Sequence, residues 1–465
     1  MPRPAPADAR TLARPLVDIP DPLALPGPAT VGSRTLTMRP PGSKSLTNRT
    51  LLLAALAEGA STLTGALTDA DDAQRMLGAL AQLGVRTEHE HDHDRVTVHG
   101  MGGRFATEGA EPTLFLNNAG TATRFLTGAA ILADGPVVVD GNARMRERPI
   151  GELVTLLRTL GARVDELGEA GFVPVRVHPI EQASSTLRVA TTLSSQYVSA
   201  LLQVGPWLPE GIEIVYTDPA TSPSYVRMTA GLLERLGAEV EVDGPDRLLR
   251  VRVGHGPLRA FQLDVEPDAS GATYLWGAAA LVEGLTVETP RLGTRSLQGD
   301  SAFPDVVARM GARVERTEDT TRVTGAATLR GIDADLSDMP DAAMTLGALA
   351  ACADGPTTIR GLRTLRVKET DRIEAMRTEL ARVGASVRVF EHAGSLGEPD
   401  EGVTIIPGDL GTDHVSFDTY DDHRMAMSSA LLALRRPHVT INDPGCVNKT
   451  YATFWADFAR LAGLA

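Results

Sequence analysis

The 465-residue chain has only two cysteines, Cys352 and Cys446, too few for a framework of disulfide bridges and in keeping with a reducing cytoplasm. It has no apolar run of membrane-spanning length. The longest, near Leu51–Ala57 and Ala342–Ala353, suit internal helices, so no membrane partner is expected. It also lacks positive charge overall, and a formal net charge of −14 sets aside a general nucleic-acid binder. No Ser-His-Asp pattern and no cysteine with a partnered histidine is present, which argues against a covalent nucleophile. Residues 1–30 are rich in Pro and Ala, carry Asp8, Asp18 and Asp21, and contain no apolar block. That composition predicts a flexible tail and no secretory signal, with activity retained in a chain starting near Thr30. What remains, 43% apolar and 22% charged residues, is ordinary for a globular protein of two or more core-bearing units.

One unit recurs along the chain. Amphipathic segments end in Leu83-Gly84, Leu160-Gly161, Leu236-Gly237, Met310-Gly311 and Val383-Gly384, at intervals of 73 to 77 residues, and a sixth reaches Ala462-Gly463. Each glycine suits the left-handed position that closes a helix before a strand. Polar-tipped hairpins follow at 86–98, 163–177, 239–253, 313–323 and 386–406, and an earlier helix ends near Gly59, Gly135, Gly211, Gly284 and Gly355. The unit therefore reads as strand, helix, strand, second helix and hairpin. Its period exceeds that of solenoid repeats and predicts a closed assembly of α/β units. The run His89-Glu-His-Asp-His-Asp94 has metal-ligating residue types but falls at a hairpin tip, so no metal site is expected there.

The unusual polar residues gather at helix starts. In Arg39-Pro-Pro-Gly-Ser-Lys-Ser-Leu-Thr-Asn-Arg49, Ser43 is placed to cap a helix whose first turns carry Lys44, Ser45 and Arg49. A P-loop is excluded by spacing, because Ser43 separates Gly42 from Lys44 and Met38 stands where the earlier glycine belongs. Other helix starts hold Asn118, Gly120, Thr121 and Arg124; Arg148; Ser194, Ser195 and Gln196; Ser222 and Tyr225; Asp341; Lys368, Glu369 and Arg372; Arg424; and Lys449. If the repeats share an orientation, these starts face a common cleft whose helix dipoles and cations suit more than one phosphate or carboxylate. Asp341 and Glu369 are acids among those cations, placed to accept or hold a proton. The chemistry this predicts is non-covalent: two anions held side by side while protons move.

These motifs resemble those of the enolpyruvyl transferases, and within them the EPSP synthase family. The matching pieces are Pro41–Arg49, Asn118–Arg124, Arg144–Ile150, Ser194–Gln196, Pro340–Thr345, Arg366–Arg372, Asp422–Met427 and Asn448–Thr450, running from about Arg39 to the end of the chain. The resemblance implies an inside-out α/β barrel fold of two similar domains, each of three βαβαββ repeats. Residues 31–41 with 266–465 would form one domain and 42–265 the other, closing when substrates bind. The implied reaction moves the carboxyvinyl group of phosphoenolpyruvate (PEP) to the 5-hydroxyl of shikimate 3-phosphate by addition and elimination, with no cofactor, in a cytoplasmic monomer. Lys44, Ser45, Arg49, Ser194, Ser195, Gln196, Ser222, Tyr225, Asp341 and Lys368 would hold shikimate 3-phosphate. Lys44, Asn118, Gly120, Thr121, Arg124, Arg148, Gln196, Arg372, Arg424 and Lys449 would surround PEP, and Lys44, Asp341 and Glu369 would handle protons. Thr364 stands where many members carry Asn, and Phe125 follows Arg124 where many carry Pro. Gly120 is kept, which implies sensitivity to glyphosate. The sister reaction on UDP-N-acetylglucosamine is disfavoured because no cysteine sits in a mobile loop, and an anion-binding scaffold leaves the acids unexplained.

Overall fold

In the computed structural model, residues 5–29, 32–90, 95–190, 192–244, 247–394, 397 and 399–464 are described. The repeating unit appears in full where Thr113–Phe115, helix Gly120–Ala129, Val137–Asp140, helix Gly151–Leu160 and the hairpin Val164–Glu166/Val175–Val177 follow one another. Its sheet places Thr113–Phe115 parallel to Val137–Asp140, with Val175–Val177 antiparallel on the other side and Val164–Glu166 at the edge. Among the described residues five four-stranded sheets share this order, and a sixth sheet has three strands. The closing glycines Gly84, Gly161, Gly237, Gly311, Gly384 and Gly463 all have positive φ, the conformation that lets each chain leave its helix for the next strand.

The chain divides into two units, Gly42–Glu266 and Met1–Pro41 with Pro267–Ala465. Glu266 falls with the continuous unit, one residue later than the sequence boundary, and its carbonyl accepts the Ser43 N–H at 2.8 Å. Two strands are exchanged at the crossings. Arg34–Thr37 precedes helix Lys44–Leu56 but pairs with Leu285–Pro290, while Gln262–Asp264 precedes helix Ala269–Leu281 but pairs with Glu58–Thr64.

Within each unit the first helices of the repeats form the centre. Lys44–Leu56, Gly120–Ala129 and Ser195–Val204 touch one another, as do Ala269–Leu281, Ala343–Ala351 and His423–Leu431. Most of their side chains are buried, and all of Ala269–Leu281 is. Leu51, Leu52 and Leu53 are fully buried; each such side chain contributes roughly 1.5–3 kcal/mol. The second helices are outer and two-faced: Phe303–Met310 buries Phe303, Val306, Val307 and Met310 at helical spacing.

The N-terminus departs from the expected flexible tail. Residues 5–29 belong to the discontinuous unit, where Leu12, Leu23 and Leu25 are buried in its core. Leu23–Ala24 pairs antiparallel with Val439–Ile441. The scattered leucines and Ile19, each isolated between prolines and charges, carry the attachment that a search for one apolar block overlooks. Of the histidine-rich tip, His89 and Glu90 end the strand Arg86–Glu90, and His91–Asp94 lie outside the described residues.

Candidate functional site

In the continuous unit, Ser43 Oγ caps helix Lys44–Leu56 by accepting the Leu46 N–H at 3.4 Å. The cap fixes Lys44 at the first position, where its Nζ lies 3.4 Å from the buried Asp72 carboxylate. Ser194 likewise caps helix Ser195–Val204 through the Gln196 N–H at 3.2 Å. Gln196 Nε2 donates to Thr121 Oγ1 at 3.1 Å, which ties that helix start to the start of Gly120–Ala129. Arg148 reaches the same place, its Nη1 donating to Asn118 Oδ1 at 2.9 Å and to the Asn118 carbonyl at 3.3 Å. Arg124 Nη1 donates to the Gly120 carbonyl at 3.2 Å and Nη2 to the Pro149 carbonyl at 2.9 Å.

Gly120 is required here by close approach and not by φ. A Cβ on it would lie 2.6 Å from Arg148 Nη2 and 2.9 Å from Arg124 Nη1. Ser195, Thr121 and Ser222 are buried at their helix starts, Ser222 in the left-handed conformation with φ 43° just before helix Pro223–Arg235, where Tyr225 occupies the first turn.

Arg49 is anchored within its own unit. It is 1% exposed. Its Nε donates to Thr229 Oγ1 at 2.8 Å, Nη1 to the Ser45 carbonyl at 2.9 Å, and Nη2 to Ser199 Oγ at 3.2 Å and the Tyr225 carbonyl at 3.3 Å. The guanidinium lies 4.9 Å from the centre of the Phe125 ring. Burial pushes it down to about 10, still charged at neutral pH. It thus spends its donors on the unit's own groups and fixes the starts of the helices that carry Ser45, Ser195 and Tyr225.

The discontinuous unit assembles a denser set of charges. Asp341, at the turn before helix Ala343–Ala351, lies 3.4 Å from Lys368, 3.0 Å from Arg372 and 3.0 Å from Arg424. Glu369 bridges Arg372 at 2.8 Å and Lys449 at 3.2 Å. Burial works against the Asp341 carboxylate, yet Arg424, Lys368 and Arg372 hold it well below the usual carboxylate range. Burial also lowers the Lys368 ammonium, with Asp341 opposing. Thr364, the departure from the family pattern, is buried on the turn Arg363–Val367 that leads to Lys368.

Sequence reading gave no role to three acids at these helix starts. Asp422, fully buried, holds Arg372 by Nε–Oδ2 at 2.7 Å and Nη2–Oδ1 at 3.2 Å, while its Oδ1 caps His423–Leu431 by accepting the Arg424 N–H at 2.9 Å. One carboxylate thereby orients the Arg372 guanidinium and fixes the helix start that carries Arg424. Asp72 restrains Lys44 in the same fashion. Asp300 is 2% exposed; burial, then the Asp341 charge, pushes it up to about 6. The signal available was position alone, since each opens a helix in the repeat.

Neither thiol is set up as a nucleophile. Burial pushes Cys352 up to about 12 and raises Cys446 as well. Among the described residues no group of three or more His, Cys, Asp or Glu is placed to hold a metal ion, and no helix is long and apolar enough to cross a membrane.

A family model described as EPSP synthase (3-phosphoshikimate 1-carboxyvinyltransferase) matches residues 32–458. Curated proteins named 3-phosphoshikimate 1-carboxyvinyltransferase are similar over nearly the whole chain. That of Shewanella denitrificans is 42% identical over 90% of this chain and 95% of its own length, and that of Thiobacillus denitrificans 43% identical over 92% and 96%. An EPSP synthase structure from Acinetobacter baumannii superposes with a TM-score of 0.73 at 26% identity, covering 95% of this chain and 98% of that one. The enolpyruvyl transferase NikO from Streptomyces tendae shares the fold, with a TM-score of 0.68 at 18% identity over 94% and 96%.

Proposed function

The chain belongs to the EPSP synthase family and, as a 3-phosphoshikimate 1-carboxyvinyltransferase, is an enzyme of the shikimate pathway; from that premise we propose how its helix starts carry out the transfer. The substrates are shikimate 3-phosphate and PEP, both small anions. The observation that carries the reading is Asp341 ion-paired to Lys368, Arg372 and Arg424 within 3.4 Å, a partly buried acid surrounded by donors for phosphate and carboxylate.

Ser45, Arg49, Ser194, Ser195, Gln196, Ser222, Tyr225 and Lys368 take the phosphate and hydroxyls of shikimate 3-phosphate, and Arg49 also ties Ser45, Ser199 and Tyr225 together. Lys44, Asn118, Gly120, Thr121, Arg124, Arg148, Gln196, Arg372, Arg424 and Lys449 serve PEP. The acceptor hydroxyl oxygen bonds to C2 of PEP and loses its proton to Asp341, while C3 gains a proton from Glu369 or Lys44. The tetrahedral adduct then expels phosphate and gives up a C3 proton, restoring the vinyl group. Asp341 is too weak a base while three cations face it. Substrate anions that neutralise Lys368 and Arg424 raise its proton affinity when the acceptor is in place, so base strength and occupancy rise together. No cofactor enters these steps, and the enzyme works as a cytoplasmic monomer.

Phosphate release from PEP tests this reading. It should be rapid with shikimate 3-phosphate and absent both with UDP-N-acetylglucosamine and without an acceptor. Release with the nucleotide sugar alone would replace the assignment with the sister reaction.

A further inference from the structure

The sheet of the sixth repeat is built differently from the other five. Its strands Val415–Phe417 and Val439–Ile441 pair in parallel, as the first two strands do in the other sheets, and among the described residues this sheet has three strands. The position flanking the central strand, filled elsewhere by an antiparallel hairpin strand such as Val175–Val177, is taken by Leu23–Ala24. Leu25 N–H extends this pairing to the Val439 carbonyl at 2.8 Å.

Residues 1–31 lie outside the matched family region, yet Leu16–Asp18 and Asp21 among them touch the turn that carries Lys449. That turn, Pro444–Lys449, begins after Asp443 in the left-handed conformation, φ 48° and ψ 58°. For a residue other than glycine this conformation needs support from its surroundings. Asp21 supplies it, its Oδ1 accepting the Asp443 N–H at 2.9 Å. The one-turn helix Leu16–Asp18 lies against the same turn, and Ala9–Leu12 against helix Phe454–Ala462. From inside, Trp455 Nε1 donates to the Pro444 carbonyl at 3.0 Å, so the turn is held on two sides. At its far end Lys449 Nζ lies 3.2 Å from Glu369.

We propose that residues 5–29 are a working part of the enzyme: they supply the antiparallel strand beside Val439–Ile441, and Asp21, acting through the Asp443 N–H, is a positioning residue for Lys449. The inference rests on the assignment of Lys449 to PEP. It reverses the expectation that a chain starting near Thr30 keeps full activity, because that chain would expose the edge of Val439–Ile441 and the seats of Leu12, Leu23 and Leu25.

The test compares wild type, Asp21→Ala, Asp21→Asn, Lys449→Ala and the double variant Asp21→Ala/Lys449→Ala by steady-state phosphate release. Amide hydrogen exchange over residues 439–452 is measured in parallel. Asp21→Ala removes one acceptor; KM for PEP should rise about 3- to 10-fold with KM for shikimate 3-phosphate unchanged. Asp21→Asn, which keeps an acceptor oxygen, should restore it. Exchange over the turn should quicken in Asp21→Ala, and Asp21→Ala should add nothing to KM for PEP once Lys449 is gone. An unchanged KM for PEP in an active enzyme, equal rises for both substrates, or full additivity with Lys449→Ala would overturn the proposal. An inactive wild type would instead overturn the functional assignment.

Discussion

Gly120→Ala tests how closely the PEP subsite is built. The added Cβ would sit 2.6 Å from Arg148 Nη2, 2.9 Å from Arg148 Cζ and 2.9 Å from Arg124 Nη1. The backbone itself tolerates alanine, since Gly120 opens the helix Gly120–Ala129 without a positive φ. The strain must therefore be relieved by the arginines. Moving Arg148 away by about 1 Å breaks its 2.9 Å bond to Asn118 Oδ1 and turns its donors from the ligand carboxylate. Losing one or two charge-assisted hydrogen bonds, each about 1.5–3 kcal/mol, corresponds to roughly 10- to 100-fold or more in affinity. KM for PEP should rise by that order, and inhibition by glyphosate should weaken at least as much. KM for shikimate 3-phosphate should change less than about 3-fold, because its ligands do not meet the new methyl. Thermal stability should fall slightly, because losing the Arg148–Asn118 bond, about 1.5–3 kcal/mol, outweighs a helix-propensity gain of about 1 kcal/mol. Steady-state kinetics with each substrate varied in turn, plus inhibitor titration, decide the matter. Equal effects on both substrates, or unchanged inhibition, would refute the steric argument.

Asp422→Asn should destabilise the protein by about 3–5 kcal/mol in urea unfolding, because Arg372 loses its bidentate partner at full burial; a change below about 1 kcal/mol would mean that Glu369 and Asp341 suffice. Asp300 makes a pH-dependent prediction. Its folded pKa is raised from 3.8 to about 6, so between those values the folded state binds more protons than the unfolded one and stability falls as pH rises. Asp300→Asn should match wild type near the low end of that window and exceed it by roughly 3 kcal/mol at most above the high end. Parallel stability curves for the two proteins would remove Asp300 from the account.

The repeats were legible because each ends in the same helix-closing glycine, and a left-handed φ leaves a mark in composition. Gly120, Arg148, Asp341 and Lys449 were legible for a related reason: a helix start with a cation or acid is a local pattern. Arg49 shows the limit of that logic. Its place at a helix start marked it as a candidate, but its bonds to Thr229 and Ser199, distant in sequence, left no local sign. Asp422 was quoted in a motif without a role, because its bond to Arg372 spans 50 positions. The N-terminal segment was misread for a physical reason. A strand of two residues and a few separated apolar anchors leave no periodic signal, and the segment gains its order from the edge of a sheet formed by the other end of the chain.

Deuterium transfer measures the proton chemistry most directly. Catalysis is run in D2O with PEP and shikimate 3-phosphate, and the product's vinyl protons are followed by NMR. Addition followed by elimination makes C3 a methyl group in transit, so wild type should place deuterium in the product methylene. Glu369→Gln should slow turnover by about 100-fold or more while leaving shikimate 3-phosphate affinity within about 3-fold. A product free of deuterium at that carbon, formed at full rate, would contradict the assignment of Glu369 and Lys44 to its protonation.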